Sequence, residues 1–189
     1  MSMRTVMALP SNEVVQGLLD LIRADTPVLD TTYGYGVFWR GGPQPWGMDL
    51  NPERAPTLVG DFLHLPFLAR SIPTVIYDPP FHPYGAETRR YGSLGANHRE
   101  TKVLFMAGVT ECWRVTSNHL IVKCQGYINS NRPQWMPLWA IEVCGEPFDW
   151  LVNHRASQRA PNWTSQNSLR RNHSDYLVFS KRGNYRRKA

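Results

Sequence analysis

Four aspartates each close a short apolar run: Asp30 after Val28-Leu29, Asp49 after Gly47-Met48, Asp61 after Thr57 to Gly60, and Asp78 after Val75-Ile76-Tyr77. The last is the sharpest, because Asp78 opens the segment Asp78-Pro79-Pro80-Phe81. Two prolines fix φ and remove two amide donors, so the carbonyls of that turn stay free to accept. A carboxylate, a free carbonyl and an aromatic face together suit an exocyclic amine on a planar base. Asp78 and the Pro79 carbonyl would accept its two N–H bonds and orient the nitrogen lone pair toward an electrophile. Phe81 would stack on the base, a contact of about 1–3 kcal/mol. The plain alternative is a rigid turn with Phe81 in the core. Upstream, Asp30 runs into Thr31-Thr32-Tyr33-Gly34-Tyr35-Gly36, and glycines after a strand let a ligand approach the backbone closely. Standing alone, that would equally be an ordinary tight turn. Asp49 follows Asp30 at about the 20-residue distance at which an acid meets ribose hydroxyls in nucleotide-binding sheets.

For these acids to share a site, a sheet must bring its strand ends to one edge. The chain reads that way. Ser11 is a predicted N-cap for a helix carrying Val14, Val15, Leu18, Leu19, Leu21 and Ile22, with Thr26-Pro27 as its break. Strands are predicted at 27–30, 47–49, 57–61, 71–78, 119–124, 148–152 and 176–179, and helices at 100–110 and 137–144. Apolar runs alternating with helical segments predict an α/β fold. We expect one domain over residues 1–180 and a basic tail over 181–189 that frays. Trp113, Trp135, Trp139 and Trp150 are expected in the core. Lys123 reads as a snorkelling strand lysine, with the active-site edge as its alternative.

The 189 residues suffice for one well-buried domain and are short for two. No run of about 18 apolar residues predicts a membrane span, and residues 1–10 lack a secretory core. Three cysteines without CxxC spacing predict neither disulfides nor a metal site, and a reducing, cytosolic compartment is the simplest reading. His64, His82, His119 and His173 show no metal-ligand spacing. The net charge of +6 is uneven: residues 151–189 hold nine Lys/Arg against one acid, Asp175, so +8 lies there and −2 in the first 150. A polyanionic partner such as nucleic acid, or a solubilising tail, would account for it.

The segments VLDTTYGYG, GMD, GDFLHLPF and IYDPPF resemble, in order, the cofactor and catalytic motifs of amino-directed, S-adenosylmethionine-dependent DNA methyltransferases acting on adenine N6 or cytosine N4. The resemblance spans residues 26–124, and NHSDYLVFSKR looks like the closing strand of small prokaryotic and phage methylase-like proteins. It implies a doubly wound, mainly parallel, seven-stranded class I methyltransferase (Rossmann-like) sheet with a final antiparallel strand. It implies that Asp30, Gly34 and Gly36 hold the methionine moiety, Asp49 the ribose and Asp61 the adenine amine, with Phe62 packing on the adenine ring. Asp78, Pro79, Pro80 and Phe81 would form the target-amine site. Thr31-Thr32 departs from the Pro-Phe common there, and Tyr33 or Tyr35 would replace the lost aromatic.

The motif order leaves no room for a large recognition domain between the two turns, and a separate C-terminal one does not fit. Selectivity then falls to residues 82–98, with Arg89 and Arg90, and to the basic stretch with Arg155, Arg159, Arg170 and Arg171. Arg and Asn/Gln side chains read base edges and Arg also contacts phosphate; polar loops without base contact are the alternative. The expected activity is methyl transfer to adenine N6 in DNA, cytosine N4 second. An RNA guanine-N2 methyltransferase and a non-catalytic nucleic-acid-binding subunit of the same fold are the rivals.

Overall fold

The computed structural model describes residues 4–80, 94–154 and 172–182. Its elements are β1 (Val6–Met7), α1 (Ser11–Leu21), β2 (Val28–Asp30), β3 (Trp46–Asp49), β4 (Leu58–Val59) and β5 (Ile72–Tyr77). There follow α2 (His98–Val115), β6 (Thr116–Cys124), β7 (Tyr127–Asn129), β8 (Arg132–Gln134), α3 (Met136–Cys144), β9 (Asp149–His154) and β10 (His173–Ser180). Short 3-10 turns occupy Val37–Trp39 and Pro52–Arg54.

Eight strands form one sheet in the order β1-β9-β10-β6-β5-β2-β3-β4. Five neighbouring pairs are parallel, and β10 runs antiparallel to both β6 and β9. This is the predicted doubly wound, mainly parallel sheet with an antiparallel closing strand. The eighth strand is the two-residue β1 beside β9, too short to leave a periodic signal.

Alternation along the strands assigns each residue to a layer. Leu29, Val75, Tyr77, Leu120 and Val122 pack with Phe105, Val109 and Cys112 of α2 and Trp139 of α3. Ile76 and Ile121 pack on the other face with Val14, Val15 and Leu18 of α1 and with Phe38 and Trp39. The same parity puts Asp30, Asp78 and Lys123 on the α1 face.

Several local expectations are corrected. Ser11 is the first helical residue, Pro10 takes the cap position, and no side chain caps α1. The helix stops at Leu21, where Arg23 adopts a left-handed φ of 48°, upstream of Thr26-Pro27. The third strand shrinks to Leu58–Val59. The β7–β8 hairpin was not expected; Ser130 and Asn131, both at positive φ, form its two-residue turn. Trp135 is 44% exposed and not core, because it stands before α3 at the hairpin's end, whereas Trp139 is buried.

Candidate active site

Strands β2, β3, β4 and β5 are mutually parallel, so their carboxyl ends lie on one edge of the sheet. Asp30 and Asp49 are the last residues of β2 and β3, and Asp78 is the first past β5. Asp61 comes two residues after β4. All four predicted acids therefore reach the same edge, as open α/β sheets require of a ligand crevice.

Asp30 is buried, and both its oxygens are taken. Oδ2 accepts from Trp39 Nε1 at 2.7 Å and Oδ1 from the Thr32 N–H at 3.1 Å. Burial pushes its carboxyl up to about 6, against the lowering effect of those two bonds. Beyond it the chain turns through Gly34 and Gly36, at φ 54° and 61°. A Cβ on Gly36 would meet the Tyr33 hydroxyl at 2.7 Å, so the turn needs glycine there for space as well as for φ. Asp49 ties this turn to β3: Oδ2 accepts from the Gly34 N–H at 2.9 Å and Oδ1 from the Asn51 N–H at 2.8 Å.

Asp61 accepts from the Leu63 N–H at 2.9 Å, and the exposed His64 lies 3.5 Å from its other oxygen. Phe62 meets Tyr77 edge-on, with centroids 5.3 Å apart. The loop that carries them is fastened to α2. Arg114 donates to the carbonyls of Phe67 and Leu65, and Glu111 accepts the Leu65 N–H. Arg114 also holds the Glu111 carboxyl below its usual value.

Thr31 and Thr32 join the two turns. The Thr31 N–H and Oγ1 both donate to the Ile76 carbonyl, at 3.0 and 2.9 Å. Thr32 Oγ1 accepts from the Asp78 N–H at 2.8 Å. Thus the pair that departs from the family pattern bridges β2 to the start of the Asp-Pro-Pro turn. Of the tyrosines offered as aromatic replacements, Tyr33 packs under Gly36 and Gly47, while Tyr35 is exposed beneath the Arg54 guanidinium, 3.6 Å from its centroid.

Lys123 is the residue sequence reasoning undervalued. It does not snorkel: its Nζ donates to Asp78 Oδ2 at 2.7 Å, with the two side chains only 11% and 18% exposed. The Phe38 ring lies 5.1 Å from the ammonium. β5 and β6 pair Ile76 with Ile121 and Tyr77 with Val122, which brings position 78 beside 123. The signal was available. Val75-Ile76-Tyr77 and Leu120-Ile121-Val122 are equal apolar runs, each followed by a charge of opposite sign.

Pro79 is buried and Pro80 half-buried. Phe81, Arg89, Arg90, Arg155, Arg159, Arg170 and Arg171 lie outside the described residues. Among the described residues, no three His, Cys, Asp or Glu side chains group as a metal site, and no helix is long and apolar enough to cross a membrane. Burial pushes the thiols of Cys112 and Cys144 up to about 12 and that of Cys124 well above its usual value.

Comparison with protein families and with curated proteins gives no match. The fold, by contrast, is shared with solved structures. A Bacillus halodurans C-125 protein assigned as a methyltransferase superposes with a TM-score of 0.56 at 13% identity, covering 89% of this chain and 99% of that one. The complex between the Haloferax volcanii Trm112 methyltransferase activator and a methyltransferase contains a similar chain, with a TM-score of 0.55, 14% identity and coverage of 90% and 89%. An Archaeoglobus fulgidus SAM-dependent methyltransferase gives 0.50 at 12% identity, covering 90% and 94%. The chain has the class I, Rossmann-like methyltransferase fold.

Proposed function

We propose that the protein transfers a methyl group from S-adenosylmethionine to a nucleobase exocyclic amine in DNA, adenine N6 ahead of cytosine N4. One observation carries this reading: Asp78, followed by two prolines, stands on the same sheet edge and face as the glycine turn after Asp30. The donor set suits the cofactor. Gly34 and Gly36 expose backbone to the methionine end, and Asp30, its own oxygens occupied, acts there through the turn it fixes. Each Asp49 oxygen accepts one backbone N–H and keeps a lone pair for a ribose hydroxyl. Asp61 has its Oδ2 side toward only an exposed histidine and can accept from an adenine amine, with Phe62 beside it.

When bound, the cofactor supplies an electrophilic methyl on a sulfonium. Asp78 and the Pro79 carbonyl hold the two amine hydrogens, so the nitrogen lone pair faces that carbon. The amine nitrogen so held would take the methyl as the cofactor left as a neutral thioether, and its surplus proton would pass to solvent. No thiolate is needed. Burial pushes up the thiols of the buried Cys112 and Cys124 and the half-buried Cys144, so none is poised as the thiolate that a covalent base adduct would need. In duplex DNA the base must first be flipped out. Phe81 would stack on it, and Arg89, Arg90, Arg155, Arg159, Arg170 and Arg171 would hold the flanking strand through phosphate contacts.

The test is methylation of unmethylated DNA and structured RNA side by side, read by nucleoside mass spectrometry. N6-methyladenine in DNA is the expected product. N2-methylguanine in RNA would replace the substrate. No product, no calorimetric binding of S-adenosylmethionine and intact nucleic-acid binding would leave a non-catalytic subunit.

A further inference from the structure

We propose that Lys123 sets the hydrogen-bond polarity of residue 78, and so makes this site require a carboxylate where an amide would otherwise serve. The inference rests on the target-amine reading of Asp78 given above. Two contacts hold the aspartate, and a third holds its lysine. The Asp78 N–H donates to Thr32 Oγ1, its Oδ2 accepts from Lys123 Nζ at 2.7 Å, and the Phe38 ring closes over the ammonium. Its Oδ1 accepts from no described residue. The pair is largely removed from water, so its geometry is set by the protein and not by solvent.

An ammonium has only donors. Whatever oxygen residue 78 carries on that side must face Lys123. A carboxylate satisfies the lysine with Oδ2 and still presents Oδ1, an acceptor, to an incoming amine. An asparagine has one oxygen and one NH2 group. With Lys123 in place its oxygen turns to the lysine, and the NH2 faces the amine donor against donor. The lysine also offsets the carboxylate's charge, so Asp78 serves the amine chiefly by position and polarity. Lys123 is therefore a positioning residue. It acts on the reaction through Asp78.

The experiment is a four-protein cycle: parent, Asp78→Asn, Lys123→Met and the double variant. Each is assayed for methyl transfer to the nucleic acid that the parent methylates, for S-adenosylmethionine affinity by calorimetry, and for thermal midpoint. Asp78→Asn is expected to lose about 100-fold or more in kcat. The double variant is expected to recover at least about tenfold over Asp78→Asn, because without the ammonium the asparagine can turn its oxygen to the amine. Cofactor affinity should stay within about threefold throughout. The midpoints give a readout independent of activity. Lys123→Met strands a half-buried carboxylate and should melt several degrees below the parent, and adding Asp78→Asn should raise it again. A double variant no more active than Asp78→Asn overturns the polarity role while leaving the target-amine site standing. If Asp78→Asn is itself as active as the parent, the polarity role fails, because an amide then serves with Lys123 in place; the target-amine reading fails only if Asp78→Ala is as active as the parent. Equal midpoints for Lys123→Met and the double variant would show that the ion pair is absent in solution.

Discussion

Asp30 and Asp49 commit all four of their oxygens to the protein's own donors, three backbone N–H groups and the Trp39 indole. Asp78 gives one oxygen to Lys123 and keeps the other without a partner among the described residues. The two ends of the crevice are thus built differently. On the proposed cofactor side the carboxylates are joints of the scaffold, and they shape a glycine turn that a ligand would meet mainly as backbone. On the proposed target side a side chain is held by one oxygen, which leaves the other to act. Substitutions of Asp30 or Asp49 should therefore damage fold and binding together, and truncation of Asp78 chiefly turnover.

The largest effect expected is on the target side. Asp78→Ala should lower kcat by about 100-fold or more and leave S-adenosylmethionine affinity nearly intact. Equal losses in affinity and turnover would erase the contrast between the two ends. Asp30 tests the scaffold side by pH. In the fold it keeps its proton up to about pH 6, whereas in the unfolded chain it ionises near pH 4. The folded form thus binds more protons between those values, so this group's contribution makes stability fall as pH rises from about 4 to 6, by up to about 3 kcal/mol. Asp30→Asn should flatten that stretch of the stability–pH curve, measured by urea unfolding at half-unit steps. A curve parallel to the parent's would remove Asp30 as the cause.

Asp49→Ala comes next. Losing a charged acceptor should weaken cofactor affinity by about 1.5–3 kcal/mol. Because Asp49 holds the Gly34 and Asn51 N–H groups, the thermal midpoint should drop as well. A variant that loses affinity at an unchanged midpoint would make Asp49 a ligand contact and not a joint. The smallest effect belongs to the bridge between the two ends. Thr32→Val leaves the Asp78 N–H unbonded and should cost about 1 kcal/mol of stability, with a few-fold loss in kcat. Parent-like turnover would show that the turn keeps its shape without the bridge.

The strand-and-helix alternation and the acids at the strand ends could be read from residue order alone. They are local: apolar period, proline chemistry and glycine tolerance act over a few neighbours, and parallel strands then bring their ends to one edge. What joins those ends could not be read that way. Lys123 meets Asp78 across 45 residues, Thr31 reaches the Ile76 carbonyl across another 45, and Thr32 accepts the Asp78 N–H across 46. Each contact depends on the register of β5 with β2 and β6 and on which face a residue takes. A one-residue slip would turn Lys123 to the α2 face and dissolve the pair. Register is set by the whole packed sheet, with α1 and Phe38 against one side and α2 against the other. That is why a lysine that by itself read as a snorkelling strand residue is, in the fold, the partner of Asp78.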